Sequence, residues 1–281
     1  MKYQNKNLLD KLIEAAIEIS EAKKEISILQ IEISDQNKIK EIVNERIKTR
    51  KPIQYLIGKA YFMDFELAVN ERVLIPRPET EMLVEEAVKR CRDVQWPVSM
   101  AIDIGTGSGI IAIALCKMLP NIEVIAIDID KDIINLANEN AKKNNVGNRI
   151  HFKTCDLFSD EIEELFRKHK FDLVISNPPY IKEFVTACQS NGVSAIQPEI
   201  VHEPKIALYG SKENNTGLVY YERIFDLCRR DVARNVSTLV AFEIDPPIVN
   251  DLKMLLKKYN LNSFEIIEDY GKSDRCLFIY C

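Results

Sequence analysis

Three stretches of this 281-residue chain combine residue types that can do chemistry together. In AIDIGTGSGII, residues 101–111, an apolar strand-like run enters Gly105-Thr106-Gly107-Ser108-Gly109 and leaves through small apolar residues suited to a helix. Glycine lets a backbone turn tightly and approach a ligand with no Cβ in the way. The spacing is G-x-G-x-G, not the dinucleotide G-x-G-x-x-G whose third glycine serves helix packing. Asp103 stands just before the loop, near where a cationic ligand head would sit. A positive sulfonium with an amino group suits that acidity better than a pyrophosphate does. Asp128 closes the next apolar run, EVIAID, 25 residues after Asp103, placed to accept hydrogen bonds from ribose hydroxyls. Asp156, after a third run, stands at the equivalent edge to face an adenine amino group, with Leu157 against the ring. A ligand-free glycine turn and a helix N-cap are the plainer readings of the loop and of Asp156. Taken together, the loop and Asp128 favour a nucleoside-containing cofactor.

The sharpest signal is Asn177-Pro178-Pro179-Tyr180, directly after the apolar run FDLVIS. Consecutive prolines lock the chain, so the Asn177 side chain and the Pro178 carbonyl can be held facing one point. Two fixed oxygens with an aromatic wall suit a planar NH₂ group: they accept its two N–H bonds while Tyr180 packs on its face. Such a nitrogen is a poor nucleophile, because its lone pair is delocalised into a carbonyl or ring. Acceptors that hold its N–H groups leave the lone pair aimed at an electrophilic methyl.

These groups need a scaffold, and the chain supplies one from Met100 onward. MAIDIG, EVIAIDID, HFKTC, FDLVIS and TLVAFEI are short apolar runs, interleaved with helical stretches at 110–119, 133–144, 162–169 and 218–232. Strands alternating with helices at this spacing predict βαβ units and a parallel sheet buried on both faces. FEIIEDYG and RCLFIY add two strands, making seven. The segment 182–217, rich in Pro, Asn and Ser, reads as a long functional or disordered loop. Upstream, Leu8, Leu12, Ala16 and Ile19 predict an amphipathic helix near 6–23. EISILQIEIS is ambiguous between strand and helix. Ser34 or Asp35 is placed to cap a second helix that ends before Pro52, and YFMDFELAV predicts a hairpin near 60–75.

Composition narrows the partners. Thirty-eight Lys and Arg against 43 Asp and Glu leave a net charge of −5, which argues against a protein that grips phosphate backbones. Seven cysteines stand singly and three histidines stand far apart, so neither a disulfide framework nor a zinc site is expected. No apolar stretch approaches the ~20 residues of a membrane span, and the first residues lack a signal-peptide pattern. A cytoplasmic protein is expected, or one of the mitochondrial matrix if the source is eukaryotic.

In this order, the glycine loop, Asp128 and NPPY resemble class I S-adenosylmethionine-dependent methyltransferases acting on amide or exocyclic amino nitrogens. QYLIG (54–58), LIPRPETE (74–81), VHEPKIALYG (201–210) and EDYGKSDR (268–275) are similar to the PrmC/HemK family, over about residues 50–281. That family methylates the glutamine side-chain amide in the Gly-Gly-Gln loop of peptide-chain release factors. The resemblance implies an α/β fold of class I, Rossmann-like type with a mostly parallel seven-stranded sheet. It also implies a helical N-terminal domain over 1–52 for substrate docking, a β-hairpin connector over 53–76 and a methyltransferase domain over 77–281. S-adenosylmethionine would be the cofactor, without a metal, held by Asp103, residues 105–109, Asp128, Asp156, Leu157 and Asn177. Asn177, Pro178, Pro179 and Tyr180 would be catalytic and hold the glutamine amide. Arg77, Glu79 and Glu81 belong to a family segment lying over the active site; Arg77 and Glu79 would touch substrate, or Arg77 would order the loop. A proline-started helix with acidic first-turn residues is the plainer reading. Partners would be release factors, with no stable nucleic acid, no membrane and a monomeric state.

Two departures stand out: the N-terminal module is shorter than the family usually carries, and FEIDPPIV replaces Glu-Ile-Gly with a later Gln, although Glu243 is kept. Leu157 also stands where some members carry an aromatic residue. Because NPPY is shared with amino-adenine and cytosine methyltransferases of DNA or RNA, these remain an alternative, although base flipping along a phosphate backbone calls for a basic recognition surface. A glutamine methyltransferase of a ribosomal protein and a non-catalytic cofactor-binding module are the others.

Overall fold

The structure is a computed structural model that describes residues 2–93, 97–181, 198–210, 217–232 and 238–281. Most of the long segment singled out at 182–217 lies outside the described residues, as does Cys188. The chain divides into two compact units.

The first unit holds residues 2–59 together with 198–202. Its helices are α1 (Lys2–Glu14), α2 (Ile19–Glu32), α3 (Gln36–Thr49) and the short α4 (Ile53–Ile57). The single helix expected over 6–23 is two, because Ala16 adopts a left-handed backbone (φ 59°) and breaks the chain there. EISILQIEIS resolves as helix: Ile26 and Leu29, three apart, are both buried. Asp35, not Ser34, caps α3, its side chain accepting from the Asn37 N–H. Leu8, Leu12, Ile17, Ala22, Ile26, Leu29, Ile39, Val43 and Ile53 form the core of this unit. Beside it the fully buried Arg46 donates from Nε to Glu25 (2.9 Å) and from Nη1 to Glu199 (2.9 Å), which Arg50 also meets at 2.7 Å. Burial pushes the Glu25 carboxyl up to about 7 despite Arg46.

The second unit begins at residue 60. The hairpin is shorter than expected: β1 (Lys59–Phe62) and β2 (Phe65–Ala68) turn at Met63, whose N–H donates to Glu81 Oε1 at 2.7 Å. Next come α5 (Pro78–Asp93), β3 (Met100–Ile104), α6 (Ile110–Met118), β4 (Glu123–Asp128), α7 (Lys131–Lys143), β5 (Ile150–Thr154), α8 (Asp160–Lys168) and β6 (Leu173–Ser176). After the short α9 (Lys205–Tyr209) follow α10 (Val219–Val232), β7 (Leu239–Glu243), α11 (Val249–Lys258), β8 (Phe264–Glu268) and β9 (Asp274–Tyr280). Sequence reading missed α11, whose LKMLLKK pattern buries Leu252, Leu255 and Leu256.

The seven strands lie in the order β5-β4-β3-β6-β7-β9-β8, with β5 to β7 parallel and β9 antiparallel to both its neighbours. Every residue of β6 and β7 is buried, as expected of parallel strands covered on both faces. The chain winds from β3 outward to β5, then crosses back to β6. The carboxyl ends of β3 and β6 therefore flank a topological switch point, where open α/β sheets form their ligand crevice.

Candidate active site

A cleft opens at that switch point. Its wall includes Gly105, Thr106, Gly107 and Ser108 after β3, Asp128 at the end of β4, Asp156 and Leu157 after β5, and Asn177, Pro178 and Pro179 after β6. The loop is held by its own backbone: the N–H groups of Gly105 and Thr106 both donate to the Ile127 carbonyl at 2.9 Å. Gly107 N–H donates to Asp128 Oδ2 at 3.0 Å. Gly109, with φ +86°, turns the chain into α6 so close to α7 that an added Cβ would lie 3.2 Å from Ala137 Cβ. Buried Asn140 of α7 donates to the Ser108 carbonyl at 2.9 Å and also binds Ala68 of the hairpin, tying both to one helix.

Acidic groups gather around this loop. Asp128 accepts from Gly107 and Asp130, yet burial still raises its carboxyl above the usual range. Asp103, expected near a cationic ligand head, is fully buried beneath the loop and is not one of the residues lining the cleft. Its Oδ2 accepts from Thr106 Oγ1 at 2.6 Å and from Ala112 N–H at 3.3 Å, while its Oδ1, also buried, has no partner among the described residues. Burial, with the Asp128 charge nearby, pushes Asp103 up to about 7. Asp156 lines the cleft and folds a local turn, Oδ1 accepting from Phe158 N–H at 2.9 Å. The N-cap of α8 is Ser159, so the capping alternative for Asp156 does not hold.

From Asn177 at the cleft wall a chain of hydrogen bonds runs inward through Thr80 and Glu243 to Tyr180. Asn177 Nδ2 donates to Thr80 Oγ1 (3.2 Å), Thr80 Oγ1 donates to Glu243 Oε2 (2.6 Å), and Tyr180 OH donates to Glu243 Oε1 (3.2 Å). The Tyr180 hydroxyl is engaged by Glu243, and Tyr180 is not one of the residues lining this cleft. A buried carboxylate oxygen needs a donor, and Tyr180 supplies it. Glu243, 2% exposed, is pushed up to about 7 by burial.

The LIPRPETE segment opens α5 and is built into the scaffold. Arg77 Nη2 donates to both oxygens of Glu203, at 2.6 and 2.7 Å, and Glu203 is 2% exposed at its side chain. This pair ties the start of the segment to the residue before Pro204. Glu79 is half-buried, close enough to raise Glu243 and Arg275. Glu81 anchors the hairpin turn.

The methyltransferase domain family Methyltransf_31 matches residues 99–214. The chain is 36% identical over 238 residues to the release factor glutamine methyltransferase of Flavobacterium psychrophilum, covering 84% of this chain and 78% of that protein. It is 35% identical over 249 residues to the enzyme of the same name from Fusobacterium nucleatum, covering 88% of this chain and 65% of that one. The chain belongs to the release factor glutamine methyltransferase family.

Among solved structures, the hMettl16 catalytic domain in complex with an RNA hairpin superposes with a TM-score of 0.57 at 17% identity, covering 85% of this chain and 81% of that one. At that identity the likeness concerns the fold, a class I methyltransferase. In this release factor glutamine methyltransferase family member, sequence reading missed Thr80 as the partner of Asn177 and Glu203 as the partner of Arg77. Both pairings join residues about a hundred or more positions apart. The one available signal was that T and E lie in motifs quoted above, PETE and HEP.

Proposed function

We propose that this chain transfers a methyl group from S-adenosyl-L-methionine to the side-chain amide nitrogen of the glutamine in the Gly-Gly-Gln loop of release factors. The observation that carries the reading is the Asn177 amide at the wall of a cleft shared with the glycine loop, its Nδ2 bound to Thr80. None of the described residues donates to its Oδ1, which leaves that oxygen to accept a substrate N–H. The Pro178 carbonyl is the second acceptor. The nucleophilic nitrogen is thereby oriented, and catalysis comes from positioning and fixed dipoles rather than from a strong base.

The residues present fit a cationic cofactor. Asp103 and Asp128 both resist ionisation in this structure, and Asp103 keeps an unpartnered buried oxygen. A positive ligand beside them relieves both. S-adenosylmethionine, when bound, supplies an electrophilic methyl on a positively charged sulfur. Asp128 would hold the ribose hydroxyls, using lone pairs left after Gly107 and Asp130; Asp156 and Leu157 would meet the adenine. Among the described residues, no group of three or more His, Cys, Asp or Glu could hold a metal, and no helix is long and apolar enough to cross a membrane.

The test is incubation with radiolabelled S-adenosylmethionine and, separately, a release factor, the same factor with its Gly-Gly-Gln glutamine replaced, a ribosomal-protein preparation and duplex DNA. Label on the unaltered factor alone is expected. Label on DNA would overturn the acceptor assignment in favour of an exocyclic amine.

A further inference from the structure

We infer that Glu243, acting through Thr80, is a positioning residue that decides which end of the Asn177 amide faces the cleft. This rests on the reading of Asn177 as the acceptor of a substrate N–H. An ionised carboxylate has no hydrogen to give, and both oxygens of Glu243 receive one, from Thr80 and from Tyr180. Thr80, 1% exposed, owns a single hydroxyl proton, and that proton is committed to Glu243 at 2.6 Å. Towards Asn177 the hydroxyl can therefore only accept. The end of the Asn177 amide that meets Thr80 must be the NH₂, and the oxygen is turned the other way.

The same chain read with a proton on Glu243 runs backwards. A neutral acid can donate to Thr80; the Thr80 proton is then free to bind the Asn177 oxygen. A half-turn about the last side-chain bond of Asn177 satisfies this with nearly unchanged shape, because amide O and NH₂ are close to isosteric. The cleft would then meet an NH₂ where a substrate N–H needs an acceptor. Two donors facing each other repel, and the substrate nitrogen loses its orientation.

Glu243 is placed to titrate under these conditions. Burial raises it to about 7, Glu79 of α5 pushes in the same direction, and Arg275 of β9 opposes. The bonds from Thr80 and Tyr180 also favour the charged form. From α10, Tyr221 OH donates to the Glu243 backbone carbonyl at 2.8 Å. Cys276, its partner on β9, stays a neutral thiol because burial pushes its pKa up. A protonated Glu243 is the inactive form, so methyl transfer should rise with pH through about 7; a bound cation moves that limb lower, never higher.

The experiment is single-turnover methyl transfer to a release factor from pH 5.5 to 9, with cofactor affinity measured separately by calorimetry. Glu243→Gln and Thr80→Val should each slow transfer roughly 10–100-fold, as misplaced reactive groups do, while S-adenosylmethionine affinity stays within about twofold. Thr80→Ser should recover most of the loss. The acid limb of the wild type should be missing in Glu243→Gln. Wild-type rates in Thr80→Val, or an unchanged acid limb in Glu243→Gln, would overturn the inference. Should Glu243→Gln fail to fold, the Thr80 pair decides alone. Asn177→Ala separates the two levels: full activity there defeats the amide-pocket reading itself, whereas loss there with full activity in both other variants defeats only the relay.

Discussion

Replacing Asp103 by Asn removes a charge from beneath the glycine loop while keeping the shape and an oxygen able to accept from Thr106 and Ala112. The wild-type carboxyl is raised from 3.8 to about 7 in the folded chain. A raised acid makes a stability contribution that is fully present below the unfolded value and is lost as pH climbs through the folded one. A shift of ~3 units corresponds to ~4 kcal/mol, undiminished by solvent because Asp103 is fully buried. The wild type should therefore lose up to ~4 kcal/mol between about pH 4 and 8 that the Asn variant keeps. The new NH₂ occupies the place of an oxygen with no partner, costing ~1–3 kcal/mol at every pH. The sign at one pH is thus less telling than the slope. Urea unfolding of both proteins at half-unit steps from pH 4 to 8.5 gives the difference curve; it should climb to about pH 7 and then level. Affinity for S-adenosylmethionine should fall in the variant, more than affinity for the uncharged-sulfur product does. A difference curve flat across the range would refute the claim that this carboxylate carries a burial cost the cofactor relieves.

Three further outcomes are expected. Asn177→Ala should reduce turnover ~10²–10³-fold, about 3–4 kcal/mol, with cofactor affinity retained; near-normal turnover would remove Asn177 from the acceptor site. Asp128→Ala should weaken the cofactor by roughly 1.5–3 kcal/mol, read by calorimetry, and an unchanged dissociation constant would exclude it from the site. Gly109→Ala forces φ +86° on a residue with a Cβ and presses it to 3.2 Å of Ala137; it should lower unfolding free energy by ~1–3 kcal/mol, and a neutral result would mean the loop can move away from α7.

Period and punctuation made the sheet legible. Strands β3 to β7 alternate with helices at a spacing that only βαβ units satisfy, and NPPY follows a strand whose every residue is buried. The helical unit was harder because helix and strand periods coincide over a few residues. Ile26, Ile28, Ile31 and Ile33 alternate like a strand, yet it is Ile26 and Leu29 that the fold buries. Ala16 breaks α1 from α2 with a left-handed backbone that Ala rarely adopts, so no local residue announces it. In the site, loop glycines and NPPY were visible as local strings. The link between Asn177 and Thr80 spans 97 residues and that between Thr80 and Glu243 spans 163, distances that local pattern does not reach. Asp103 was visible as an acid before the loop, but strand alternation does not say which buried acid lies under a loop and which opens onto it.

The ion pairs around Arg46 bear on how the chain is made. Arg46 and Glu199 are 153 residues apart. At ~5–20 residues per second of synthesis, Arg46 waits some 8–30 s for that partner to leave the ribosome. His202, which bonds the Thr49 carbonyl at 2.8 Å, arrives at the same time. Until then these helices hold a guanidinium lacking one of its partners, and they reach their finished form only after most of the sheet's strands have been translated.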